Sequence, residues 1–239
     1  MNLIIDIGNT TVKAALFNDG VIVEQQRFRT ASPELIAGFT GSRQVDGAIV
    51  SSVGSDPSGL IDWLSRRVKR VHHLTAASVY PFDIDYDTPE TIGADRLAAA
   101  AGAIHRHPAS GLLVIDAGSA LTIDEVTEGV YRGGSISPGL AMRFRALHEY
   151  TGRLPLVTKR DGFTFPGRTT EDAIAGGVMM GLAYEIIEYI RTFEKNHHNP
   201  VAVITGGDGG VIAPLTGGKA LHYPDLVTEG LNFLLETNV

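Results

Sequence analysis

Eight consecutive residues, Asp6-Ile7-Gly8-Asn9-Thr10-Thr11-Val12-Lys13, set a carboxylate, a glycine, two threonine hydroxyls and an ammonium between apolar stretches. A glycine in such a turn lets the backbone approach a ligand, the turn N–H groups point at phosphate oxygens, and Thr10 or Thr11 adds hydroxyl donors. Lys13 supplies a point charge. Asp6 repels phosphate, so its place is on Mg²⁺ or on a water that bridges to the phosphates. The pattern returns as Asp116-Ala117-Gly118-Ser119-Ala120-Leu121-Thr122. One copy reads equally well as a hairpin turn that holds Asp and Gly; two copies at equivalent places favour a phosphate cradle built in duplicate. Thr205-Gly206-Gly207, after an apolar run, adds backbone that can come up against a nucleoside, although by itself it is simply a tight turn.

The elements that must hold these turns are duplicated too. Residues 2–28 read as a three-stranded meander, with Asp19-Gly20 between two apolar runs as its hairpin signal. From Gly111 the run GLLVIDAGSALTIDEVTEGVYRGGSIS repeats that meander. Between the copies, Ser32-Pro33-Glu34 predicts a capped helix start. A strand over 47–52 and a helix over 58–68 follow, with Leu60, Ile61, Leu64 and Val68 on one face. A loop from Tyr80 to Pro89 precedes an alanine-rich helix over 94–104. After the second copy come a helix around 140–150, a loop over 151–168, a long helix over 170–193, a strand over 201–205, a short strand near 219–222 and a last helix over 225–236. Two copies half a chain apart predict a duplicated α/β architecture, with domains at 1–110 and 111–239 and ATP clamped between them.

With 239 residues, 44% of them apolar, the chain can build real cores, which excludes a disordered or fibrous protein. The net charge of −7 gives no broad attraction to phosphate backbones or anionic membranes, so neither nucleic acid nor a membrane is an expected partner. Cysteine is absent, which rules out disulfides, thiolate metal sites and a cysteine nucleophile and fits the cytosol. The N-terminus has no basic region before its apolar stretch and does not read as a signal peptide. The apolar run from Ala173 to Tyr184 is too short to span a bilayer.

Asp6-Ile-Gly-Asn-Thr10, Gly93-Ala-Asp-Arg96, Asp116-Ala-Gly-Ser-Ala-Leu-Thr122, Gly133-Gly-Ser-Ile-Ser-Pro-Gly139 and Gly167-Arg-Thr-Thr170 stand in the order and spacing of type III pantothenate kinases. The chain resembles that family from residue 2 to about 235, with one departure: Tyr86-Asp-Thr-Pro89 stands where the family often has Tyr-x-Asn-Pro. The resemblance implies duplicated actin-like (ribonuclease H-like) domains, each a mixed sheet flanked by helices, with ATP in the cleft. It implies a kinase that moves the γ-phosphoryl group of ATP to pantothenate, with Asp95 as the base for the hydroxyl. ATP would be held by Asp6, Ile7, Gly8, Asn9, Thr10, Thr11, Val12, Lys13 and Ser119. Pantothenate would meet Tyr86, Gly93, Ala94, Asp95, Arg96 and Thr170, with the planar fork of Arg96 on its carboxylate. Asp116 would hold a monovalent cation, K⁺ or NH₄⁺, while Mg²⁺ arrives with ATP. A homodimer in the cytoplasm is implied as well.

Blander readings stand beside these. Asp95-Arg96 at a helix start reads, without the resemblance, as capping plus a surface ion pair, and Thr170 doubles as the N-cap of the long helix. His72-His73 and His197-His198 are adjacent and cannot share a face, so they read as surface or strand-end residues rather than metal ligands. His105 and His107 read as groups at a helix C-terminus, Trp63 as core, and the run Arg66 to Arg70 as a solvated helix end. A kinase for another small hydroxyl compound, or a nucleotide-binding regulator without turnover, are the alternatives.

Overall fold

Leu3, Ile4 and Ile5 are all buried, as a continuous apolar run requires of a strand covered on both faces. In the computed structural model, which describes residues 1–108, 110–160 and 162–238, they lie on β1 (Asn2–Ile7). β1 pairs antiparallel with β2 (Val12–Asn18) and parallel with β4 (Gly47–Ser52). β3 (Val21–Phe28) lies outside β2 and β5 (Arg70–His73) outside β4, giving a mixed sheet in the order β3-β2-β1-β4-β5. Asp19 and Gly20 sit at φ 49° and 76°, the left-handed pair that a two-residue hairpin needs.

The chain forms two compact units. The first comprises Met1–Pro108, Gly129–Tyr131 and Leu226–Val239. Its helices are α1 (Pro33–Thr40), α2 (Ser58–Ser65), α3 (Ala94–Arg106) and α7 (Leu226–Asn238). Ser32 caps α1 as expected, its hydroxyl accepting from Leu35 N at 3.3 Å. Ile36, Phe39, Leu60 and Leu64 close over the sheet, each buried side chain contributing roughly 1.5–3 kcal/mol. Trp63 is only partly buried, with the Arg67 guanidinium 4.5 Å over its ring.

The last helix packs in this first unit, whereas the sequence had placed it with residues 111–239. The alanine run of α3 explains why. A Cβ on Gly230 would lie 1.9 Å from Ala98 O, and one on Gly102 would lie 2.4 Å from Leu226 O, so α3 and α7 meet backbone to backbone. Arg106 adds a two-bond fork to Glu229 at 2.6 and 2.7 Å, and Asn2 donates to Asn232 at 2.9 Å. β6 (Asp83–Ile84), inside the stretch expected to be loop, pairs in parallel with Val130 and Tyr131. β5 also falls on residues read as a charged helix end and histidine pair, because four residues with one half-buried valine carry no legible period.

The second unit comprises Ala109–Glu128 and Arg132–Asp225. β7 (Gly111–Ala117) and β8 (Ala120–Thr127) form an antiparallel hairpin continued by β9 (Val130–Pro138), with β10 (Pro200–Thr205) and β11 (Leu221–His222) in parallel on the other side of β7. Glu128 and Gly129 repeat the left-handed pair of the first meander, at φ 55° and 74°. α4 (Leu140–Glu149), the 27-residue α5 (Thr170–Asn196) and the short α6 (Gly209–Ile212) complete the unit. By length and composition alone α5 would cross a membrane, but Ile174, Val178, Leu182, Ile186, Ile190 and Phe193 recur at helical spacing and bury into the core.

Candidate functional site

Asp6 ends β1 in register with Lys13 on β2 and Ser51 on β4, so the three side chains leave one face of the sheet at its carboxyl edge. Burial has a price here: Asp6 Oδ1 and Ser51 Oγ are shut off from solvent and have no hydrogen-bond partner. Desolvation and then the nearby Asp95 carboxylate push the Asp6 pKa up to about 6, with Ser51 and Lys13 pulling the other way. A buried acceptor without a donor, close to a second carboxylate, suits a cation.

The turn after Asp6 is closed by Gly8 N donating to Thr11 O at 3.0 Å. Asn9, Thr10 and Thr11 are exposed, whereas Ile7 and Val12 point into the core, so the last two can offer a ligand only backbone. At the head of α3, Asp95 Oδ1 accepts from Arg96 N at 2.9 Å. A Cβ on Gly93 would lie 2.5 Å from that oxygen, so only glycine there leaves the carboxylate its place. Gly93, not Asp95, occupies the N-cap of α3, and Asp95 is an acid of the first turn, so the capping reading does not hold as expected. Nor does the surface ion pair, because Arg96 is only 7% exposed. Tyr86, just past β6, is half-buried and Ala94 buried.

The second unit repeats the plan. Asp116 ends β7 in register with Thr122 on β8 and Thr205 on β10, the counterparts of Lys13 and Ser51. Gly206, at φ 91°, packs directly on it: a Cβ would lie 2.3 Å from Asp116 Oδ1. Ser119 is exposed in the turn, which Gly118 N closes on Ala120 O at 3.0 Å. Asp208 is anchored by its N–H to Ala117 O at 2.8 Å, and its carboxylate pairs with Lys159. These two line a cavity of about 340 Å³ with Phe144, Leu156 and Val157.

Thr170 is the first residue of α5 and is exposed, but the N-cap is Thr169, whose hydroxyl accepts from Asp172 N at 3.1 Å. The expected capping role thus moves one residue back. Thr170 borders an open apolar groove of about 880 Å³ between α4 and α5, lined also by Leu147, Tyr150 and Val178. His72 is bound to Ser78 at 2.8 Å, and among the described residues no three His, Cys, Asp or Glu side chains gather to hold a metal.

Within the first unit, then, Asp6, Lys13 and Asp95 come together. The sequence missed Ser51, whose signal was its place at the end of a strand equivalent to the one ending at Thr205. It also missed Lys159 and Asp208, for which no local pattern existed.

Residues 2–192 match the family model described as type III pantothenate kinase. A type III pantothenate kinase of Porphyromonas gingivalis is 39% identical over all of this chain and 99% of its own length. Among solved structures, a Campylobacter jejuni protein described as a Baf family transcriptional activator superposes with a TM-score of 0.64 at 22% identity, covering 99% of this chain and 98% of its own. A proposed N-acetylmannosamine kinase from Listeria monocytogenes gives 0.58 at 13%, with 99% and 98% covered, which places the fold with the actin-like sugar kinases.

Proposed function

The chain belongs to the type III pantothenate kinase family, and from that premise we propose that Asp95 is the base toward which the pantothenate hydroxyl gives its proton. The family's reaction moves the γ-phosphoryl group of ATP to pantothenate, giving ADP and 4′-phosphopantothenate at the first step toward coenzyme A. Phosphoryl transfer leaves the protein little covalent work, so alignment and charge carry the rate. The observation that carries the reading is the pair of neighbouring carboxylates. Asp6 has a buried oxygen suited to a cation, and Asp95 is held in one orientation at the head of α3.

In this reading Asp6 faces the Mg²⁺ of the nucleotide, which supplies charge neutralisation on the transferring group. The turn from Asp6 to Lys13 and Ser119 take ATP, Ile7 and Val12 through backbone alone. Arg96 pairs with the carboxylate of pantothenate, and Tyr86, Gly93, Ala94 and Thr170 complete the acceptor contacts. Asp116 takes K⁺ or NH₄⁺: one carboxylate backed by turn carbonyls suits a weakly held monovalent ion better than a divalent one. A homodimer covers the open groove, a reading supported by exposed Met142, Tyr150, Tyr184 and Tyr189 on α4, just past its end, and on α5. The cytoplasm is the proposed location, in keeping with the absence of cysteine.

The deciding measurement is ADP release with pantothenate against decoy hydroxyl acceptors, for the wild type and Asp95→Asn. Loss of a general base costs about 10²–10⁴-fold in turnover. Asp95→Asn should fall in that range with ATP binding intact; turnover above about a third of wild type would remove Asp95 from the role.

A further inference from the structure

Among the described residues, the segment 151–168 forms no helix or strand, yet it is fastened at several points. Val157 is buried in the core of the second unit and Phe163 packs partly against it. Between them two consecutive basic side chains reach two different elements. Lys159 pairs with Asp208 in the glycine turn after β10. Arg160 pairs through Nη2 with Asp172 in the first turn of α5, with its Nη1 3.8 Å from Glu171.

Asp172 is thereby gripped from both sides. One carboxylate oxygen takes Arg160; the other accepts from the Thr169 hydroxyl at 3.1 Å, and the same hydroxyl accepts from Asp172 N at 3.1 Å. Thr170 lies between Thr169 and Asp172, so the backbone that carries it is held on both sides. Without Arg160 the first turn of α5 keeps only its own cap, and helix ends fray where their tertiary partners are lost. The contact is partly buried and joins a segment without regular structure to the first turn of α5, so its loss acts on the placement of that turn.

We propose that Arg160 is a positioning residue for the acceptor, acting through Asp172 to fix Thr170, while its neighbour Lys159 fixes the nucleoside-side turn through Asp208. The first half rests on the reading of Thr170 as an acceptor contact. Misplacement by about 1 Å can cost up to about 10²-fold, and a frayed helix turn is a milder fault. Arg160→Ala should therefore raise the pantothenate KM about tenfold, leaving kcat and the ATP KM within about twofold. Lys159→Ala should do the converse, raising the ATP KM and sparing the pantothenate KM.

Steady-state kinetics on the full-length protein, with Thr170→Val, Arg160→Lys and thermal melts alongside, test this. Partial recovery of the pantothenate KM in Arg160→Lys, with melting temperatures unchanged, is expected. Where Arg160→Ala does not fold, Arg160→Gln, which keeps a donor for Asp172 and most of the volume, replaces it. A raised KM for Thr170→Val with an unchanged one for Arg160→Ala would overturn this inference alone; an unchanged KM for Thr170→Val would overturn the reading beneath it as well. Identical effects of the Lys159 and Arg160 variants on both constants would mean that the segment is only a structural brace.

Discussion

Replacing Asp6 by Asn removes a carboxylate that the fold holds against its own preference. Burial and the neighbouring Asp95 raise its pKa from 3.8 to about 6. An acid whose pKa rises on folding binds its proton more tightly in the folded chain than in the unfolded one, so stability is full below pH 3.8 and falls as pH climbs through 6. Each pKa unit is worth about 1.4 kcal/mol, which puts the penalty above pH 6 at no more than about 3 kcal/mol. Asn keeps the shape and never titrates. In urea unfolding the Asp6→Asn protein should match the wild type near pH 4 and exceed it by about 1–3 kcal/mol at pH 7.5. Its turnover should collapse, and Mg²⁺ with ATP should stabilise the wild type more than the variant. A variant no more stable than wild type at pH 7.5, or a gap that ignores pH, would refute the account of Asp6 as a strained, cation-seeking acid.

Arg96→Lys should raise the pantothenate KM by about tenfold or more, since a point charge cannot replace a two-bond fork; a weakened ATP requirement in its place would assign Arg96 to the nucleotide. Activity titrated with K⁺ against Na⁺ at saturating Mg²⁺ should rise with K⁺ in the wild type and lose that response in Asp116→Ala, and full activity without K⁺ or NH₄⁺ would defeat the cation reading. Gly230→Ala forces α3 and α7 apart and should cost at least about 1–3 kcal/mol in a thermal or urea melt. Gly38→Ala, in α1 with nothing within 4 Å of the added Cβ, should instead stabilise by about 0.5–1 kcal/mol.

Features that depend only on neighbours along the chain were legible before any folding. Asp19-Gly20 and Glu128-Gly129 each make a hairpin because their left-handed backbone is a local property, and Ser32 caps α1 for the same reason. The two Asp-x-Gly turns were legible because a strand, a turn and a strand are written consecutively, whereas Gly93-Ala-Asp-Arg96 stood out only through the family resemblance. Tertiary structure decided the rest. No local pattern says that α7 belongs with α3; that follows from Gly102 and Gly230, whose missing side chains matter only once two helices far apart in the sequence touch. Nor could spacing show that Ser51 stands beside Asp6 on the neighbouring strand, or that Arg96 is buried. Lys159 and Arg160 fall in a stretch legible only as loop, because an ion pair is defined by the partner, and Asp208 and Asp172 come near only when the second unit folds. Burial, register and long-range charge set the pKa of Asp6, and each is a property of the folded chain.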